Sequence, residues 1–417
     1  MITEKQLKRY AELIVRLGAN VQKGHKVIIR IAVDQYEFAH MLVEECYKAG
    51  ASRVTVDWDD AAKSRLDYSY ADEEVLGTLL PWEFAKLEQM EKDLPCMIRI
   101  LSDDPGAMEG IDSKKLAAVM QRRAAASKPY NDRMMGKYHW VAAAVPSKGW
   151  AKKCFPDDTE EEAFSKLWDA ILTTTRMNGP EDPLEAWNRH LGALKARTEW
   201  LNAQNFTSLV YKADNGTDFR VELIPGGLWV SAVQMSSLTG AEYLPNMPTE
   251  EIFTTPFAGK AEGTLVSSKP LSWNGGIIDD FSITFEKGRA VSCHAQKGQD
   301  LLEFMLGMDE GAARLGEVAL VPFESPINEC GFLFYNTLFD ENAVCHVAVG
   351  RGFPEVLEDG ENISPEERTE RGINDSMIHV DFMVGTRDLM IKGVRADGSE
   401  TVIFENGTWK LSLDQLK

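Results

Sequence analysis

Lys26-Val-Ile-Ile-Arg-Ile-Ala-Val33 is a largely apolar run of the kind found in strands buried on both faces of a parallel sheet. Phe38, Met41, Leu42 and Glu45 then repeat at helical spacing within residues 35–48, Gly50 ends that pattern, and Arg53-Val-Thr-Val-Asp57 returns to a strand pattern. Strand, helix and strand in this order predict a βαβ unit.

The same alternation extends in both directions. Upstream, Thr3-Glu-Lys-Gln6 is a capping box, followed by a helical stripe of Leu7, Tyr10, Ile14 and Leu17. Downstream, strand candidates at 95–101 and 139–145 are separated by helix-like segments at 72–92 and 112–125, which predicts an open α/β sheet. None of these helices opens on GxGxxG or GxxxxGK[ST], so a nucleotide fingerprint is absent. A helical, aromatic-rich stretch at about 158–201 carries Trp168, Trp187 and Trp200.

Beyond that stretch the pattern changes to short period-2 runs at 209–213, 218–224, 229–233, 261–267, 276–286, 289–295, 344–349 and 377–384, punctuated by Asn-Gly, Gly-Gly and Asp-Gly turns. Short helices are expected at 298–313. The expected fold class is α/β, with an N-terminal open α/β domain at 1–195 followed by a β-rich α+β catalytic domain at 196–417. The first is assigned to assembly and access, the second to chemistry.

With 417 residues, two domains are expected. A composition of 44% hydrophobic and 26% charged residues is that of a globular protein and excludes disordered and fibrous classes. The balance of 45 Lys+Arg against 65 Asp+Glu, a formal charge of -20, repels polyphosphates and anionic membranes, so neither nucleic acid nor membrane is an expected partner. No long apolar run and no signal-peptide pattern is present, and the six cysteines are scattered without a CxxC pair; a cytoplasmic location with reduced thiols is expected.

Chemistry must draw on only seven histidines. In Ile378-His-Val-Asp-Phe-Met-Val-Gly385, strand geometry turns His379 and Asp381 to one face and Val380 and Phe382 to the other. Such a pair suits a first-row metal, and equally a hydrogen-bonded His–Asp pair. His346 lies in the apolar run Val344-Cys-His-Val-Ala-Val-Gly350, where a satisfied core histidine reads as well; its neighbour Cys345 points to the opposite face, which disfavours a Cys–His nucleophile. Pro245-Asn-Met-Pro-Thr-Glu-Glu251 holds Glu250 and Glu251 in a proline-restricted segment, and Glu317 leads an apolar strand; either could be a solvated charge. Together, two histidines, an aspartate and several glutamates in one β-rich half fit a two-metal hydrolytic site. His25, His40, His139, His190 and His294 read as structural.

At these residues the chain resembles the aminopeptidase T / aminopeptidase S family of dimeric metallo-aminopeptidases. The resemblance spans essentially the whole chain and rests on Asp182-Pro-Leu-Glu-Ala-Trp187, Asn246-Met-Pro-Thr-Glu-Glu-Ile-Phe-Thr254, Leu338-Phe-Asp-Glu-Asn342 with His346, and Ile378-His-Val-Asp-Phe-Met383. It implies two divalent metal ions, Zn²⁺, Co²⁺ or Mn²⁺, held by Glu251, Glu317, His346, His379 and Asp381. It further implies removal of the N-terminal residue from short peptides by a hydroxide bridging two metals, and a homodimer with sites facing an enclosed cavity. Glu250 is the candidate general base, by analogy with two-metal aminopeptidases that place a catalytic Glu beside a ligand Glu. Phe353 stands where the resemblance leads one to expect an active-site tyrosine, and loss of that hydroxyl could cost on the order of 10²-fold in rate if it serves the oxyanion. A two-metal hydrolase of a non-peptide amide or ester, and a metal-stabilised peptide-binding homologue without turnover, are the competing readings.

Overall fold

The computed structural model describes residues 2–102, 104–360 and 363–416. They form two compact units, Met1–Ala186 with Val233–Met247, and Trp187–Ala232 with Pro248–Lys417.

The first unit is built on a four-stranded parallel sheet in the order Arg53–Asp59, Lys26–Ala32, Cys96–Leu101, Trp140–Ala144. Val27, Ile29 and Ile31 are buried, and the helix Tyr36–Lys48 makes the expected crossover. The capping box at Thr3 forms, with Gln6 N–H donating to the threonine hydroxyl and Gln6 Oε1 accepting from the Thr3 N–H. The helical segment expected at 72–92 is two helices, Glu73–Gly77 and Pro81–Asp93, because proline lacks the donor an interior position needs and is suited to a first turn. The helix expected at 112–125 continues to Met134.

The second unit contains a nine-stranded antiparallel sheet and a five-stranded antiparallel sheet. The 298–313 helix is confined to Gln299–Leu306 and ends at Gly307. The strand expected at 229–233 shrinks to Val230–Ser231. No helix among the described residues is long and apolar enough to cross a membrane.

The five-stranded sheet positions the candidate site. Its strands run in the order His379–Met383, His346–Gly350, Leu315–Leu320, Ile252–Thr254, Val230–Ser231. Register places Glu317 and Asp381 on either side of Ala348, while Ala319 lies opposite both His346 and Phe253. Because side chains alternate, Glu251, Glu317, His346, His379 and Asp381 all belong to one face. Ala319 and Ala348 leave room between the long polar side chains of their neighbours. The other face carries Ile252, Val318, Leu320, Val347, Val349, Val380 and Phe382, all buried. That apolar layer fixes the register, because a one-residue slip would turn the carboxylates and imidazoles into the apolar layer and break up their cluster.

Candidate metal centre

Two groups of donor atoms meet on this face. Glu251, Glu317 and His346 form one, and Glu317, His379 and Asp381 the other; within each group the donor atoms lie within 4.8 Å of one another, and Glu317 belongs to both. His346 Nε2 is 3.2 Å from Glu251 Oε2, and His379 Nε2 is 3.0 Å from Glu317 Oε2 and 3.3 Å from Asp381 Oδ1.

Both imidazoles are held from behind. His379 Nδ1 donates to the Arg351 carbonyl at 2.6 Å, and His346 Nδ1 to the Val344 carbonyl at 3.4 Å, so each ring turns Nε2 toward the carboxylates. A ring whose Nδ1–H is engaged by a carbonyl offers Nε2 as the ligand atom, the usual outer-shell arrangement of metal-binding histidine. Asp381 Oδ1 is buried and, apart from the 3.3 Å contact with His379 Nε2, has no hydrogen-bond partner among the described residues. A buried carboxylate oxygen with so little compensation, beside two imidazole nitrogens and two further carboxylates, completes a donor set that fits a divalent first-row cation.

The electrostatics agree. Burial pushes the Glu317 carboxyl up to about 7, with the charges of Asp381 and Glu251 adding to the shift and His379 opposing it. Burial works against a charged His346, yet the hydrogen bond and charge of Glu251, aided by Asp381 and Glu317, hold that imidazole up to about 9. His379 is likewise raised, burial being outweighed by Asp381 and Glu317, while the His379 charge keeps Asp381 low despite burial. Protons on Nε2 thus occupy the positions that cations would take. Cation binding must release them, so affinity is expected to weaken as pH falls from about 9 to 6, by about tenfold per pH unit for each proton displaced. Calorimetric titration of metal-free protein in buffers of different ionisation enthalpy measures that release; a pH-independent affinity with no protons released would contradict this arrangement.

Glu341, which is not among the residues expected from sequence, also belongs to this cluster. Burial, with the charges of Asp381, Glu251 and Glu317, pushes its carboxyl well above the usual range. It lies in the short turn Glu341–Ala343, where no periodicity assigns a face; the acidic Asp340-Glu-Asn342 run just before His346 was the available signal. Asp340 itself is spent on the backbone, accepting from the amides of Phe334 and Asn336 at 2.8 and 3.0 Å and so shaping the loop that delivers Glu341 and Asn342.

Glu250 lies outside both donor groups. It is 5% exposed, its amide donates to Asn342 Oδ1 at 2.7 Å, and its Oε2 is 3.7 Å from His190 Nε2. Cys345 turns away from His346, its Sγ exchanging hydrogen bonds with the Val321 backbone, and burial pushes the thiol up to about 12. Phe353 packs its ring 4.6 Å from that of His379 and 5.4 Å from that of Phe253, while its amide donates to Thr255 Oγ1 at 2.9 Å.

Comparison with known proteins supplies the family. Residues 3–409 match the model of the family described as thermophilic metalloprotease (M29). The chain is 40% identical to Aminopeptidase AmpS of Bacillus subtilis, over 97% of this chain and 98% of that protein. It is 36% identical to Aminopeptidase T of Thermus thermophilus, again over 97% and 98%. The solved structure of wild-type AmpT from Thermus thermophilus superposes with a TM-score of 0.90 at 35% identity, covering 98% of this chain and 100% of that one. With fold, buried donor set and full-length similarity in agreement, the chain belongs to the thermophilic metalloprotease family M29, the metallo-aminopeptidase family that its sequence resembles.

Proposed function

We propose that the protein removes the N-terminal residue of short peptides by hydrolysis at a centre that holds two divalent ions. The observation that carries this reading is Glu317, shared by two donor groups that each supply one further carboxylate and one imidazole. Glu251 and His346 would hold one ion, His379 and Asp381 the other, and Glu317 would stand between them. Charge supports two ions rather than one: Glu251, Glu317, Glu341 and Asp381 carry four negative charges when ionised, which two divalent cations neutralise. A buried cluster of that charge left uncompensated would be strongly unfavourable. Zn²⁺, Co²⁺ and Mn²⁺ all suit such oxygen and imidazole donors, and occupancy follows availability.

Bound divalent ions supply Lewis acidity at the scissile carbonyl and bring the pKa of water toward neutrality. Glu250, a member of neither donor group, accepts a proton from the attacking water and returns it to the departing amine as the C–N bond breaks. The acidic residues around it favour the substrate's α-ammonium group. Phe353 presents a ring without a hydroxyl, so it gives the tetrahedral oxygen no hydrogen bond. A homodimer acting in the cytoplasm belongs to the same proposal.

The test compares an aminoacyl anilide with its N-acetylated analogue on the metal-loaded protein. Turnover confined to the free amine is expected. Equal turnover of both would favour a general two-metal amidase and overturn the aminopeptidase reading.

A further inference from the structure

His190 read as structural from sequence, yet its imidazole meets the segment that carries Glu250. It projects from the helix Pro183–Gln204, three residues after the fully buried Trp187, against which its ring packs edge-on at 5.8 Å. His190 Nε2 lies 2.8 Å from the Thr249 carbonyl oxygen. A carbonyl only accepts, so Nε2 carries the proton in this hydrogen bond. The same nitrogen is 3.7 Å from Glu250 Oε2.

The Thr249 carbonyl and the Glu250 amide belong to one peptide plane. His190 takes its oxygen, and Asn342 Oδ1 takes its N–H at 2.7 Å. Both side chains come from elsewhere in the chain, one from a helix some 60 residues upstream and one from a turn about 90 residues downstream. The plane precedes the strand Ile252–Thr254, where sheet pairing begins. Gripped at both ends, it can neither flip nor rotate without breaking a buried hydrogen bond, and the direction in which Glu250 leaves the backbone is fixed.

We propose that His190 is a positioning residue for Glu250, holding the Thr249–Glu250 peptide plane jointly with Asn342 so that the carboxylate is aimed at the reacting water. This rests on the reading of Glu250 as general base. The role is geometric: His190 belongs to neither donor group, so its removal is expected to act on turnover rather than on metal. A base displaced by about 1 Å can cost about 10²-fold in rate.

The experiment measures kcat, KM, metal content and melting temperature for His190→Ala, His190→Gln, Glu250→Gln and the His190→Ala/Glu250→Gln double variant, with an aminoacyl anilide on metal-loaded protein. His190→Ala is expected to lower kcat by about 10- to 100-fold with KM changed less than about threefold and metal unchanged. His190→Gln, whose amide N–H can still donate to the Thr249 carbonyl, should recover most of that loss. Added to Glu250→Gln, His190→Ala should lower the residual rate by less than about twofold, because no base remains to be aimed. Full kcat in His190→Ala, an undiminished effect in the double variant, or metal loss in both His190 variants would each overturn the proposal. Glu250→Gln with wild-type kcat would instead remove the general-base reading on which it rests.

Discussion

Glu317→Gln is expected to leave a folded protein that has lost its metal. Glu317 is the one carboxylate common to both donor groups, so its loss affects both ions, whereas replacement of Glu251 or Asp381 touches one. The amide is isosteric but uncharged, and it binds cations far less well than a carboxylate. Loss of an outer-shell partner alone typically weakens metal binding 10- to 100-fold, so loss of a shared ligand should exceed about 100-fold. Folding should survive for a physical reason. The carboxyl is fully within the sheet face, already pushed up to about 7 by burial, and its ionisation adds repulsion against Asp381 and Glu251. Removing that charge relieves the metal-free state while abolishing the stabilisation that metal confers by binding only the folded form. Elemental analysis should show bound metal well below the wild-type stoichiometry, and added metal should no longer raise the melting temperature. Wild-type metal content in the variant would contradict the assignment.

Glu250→Gln should have the opposite signature, with metal retained and turnover lost. Glu250 belongs to neither donor group, and the hydrogen bond from its backbone amide to Asn342 Oδ1 is kept by the substitution. The isosteric amide cannot act as a base, and proton transfer contributes typically 10²- to 10⁴-fold, so kcat should fall by about that factor while KM changes little. If metal were lost instead, the roles of Glu250 and Glu251 would have to be exchanged.

The legible and illegible parts of the site differ in kind. The His379/Asp381 pair could be read because a strand repeats every two residues and the apolar Val380 and Phe382 declare the buried face. The βαβ unit at 26–59 was legible for the same reason: its periodicity is local. The meeting of Glu317 with Asp381 was not, since it depends on which strands pair and in what register, and each lies against Ala348 from opposite sides. Their occurrence in one β-rich half made Glu251, Glu317 and His346 candidates for a two-metal site, and the resemblance then singled them out as ligands. Glu341 sits in a turn, where no period exists to assign a face. His190 escaped because its helix surface announces nothing about a carbonyl some 60 residues later in the chain. Pro81 was a visible stop signal inside the segment 72–92, and it marks the start of the second of two helices there.

The central claim is that one face of the five-stranded sheet holds two ions with Glu317 between them. Anomalous difference maps from crystals of the protein loaded with Zn²⁺, measured on both sides of the zinc absorption edge, test it most directly. Two peaks are expected, one bounded by Glu251, Glu317 and His346 and the other by Glu317, His379 and Asp381. A single peak, or peaks that avoid Glu317, would contradict a shared two-metal centre.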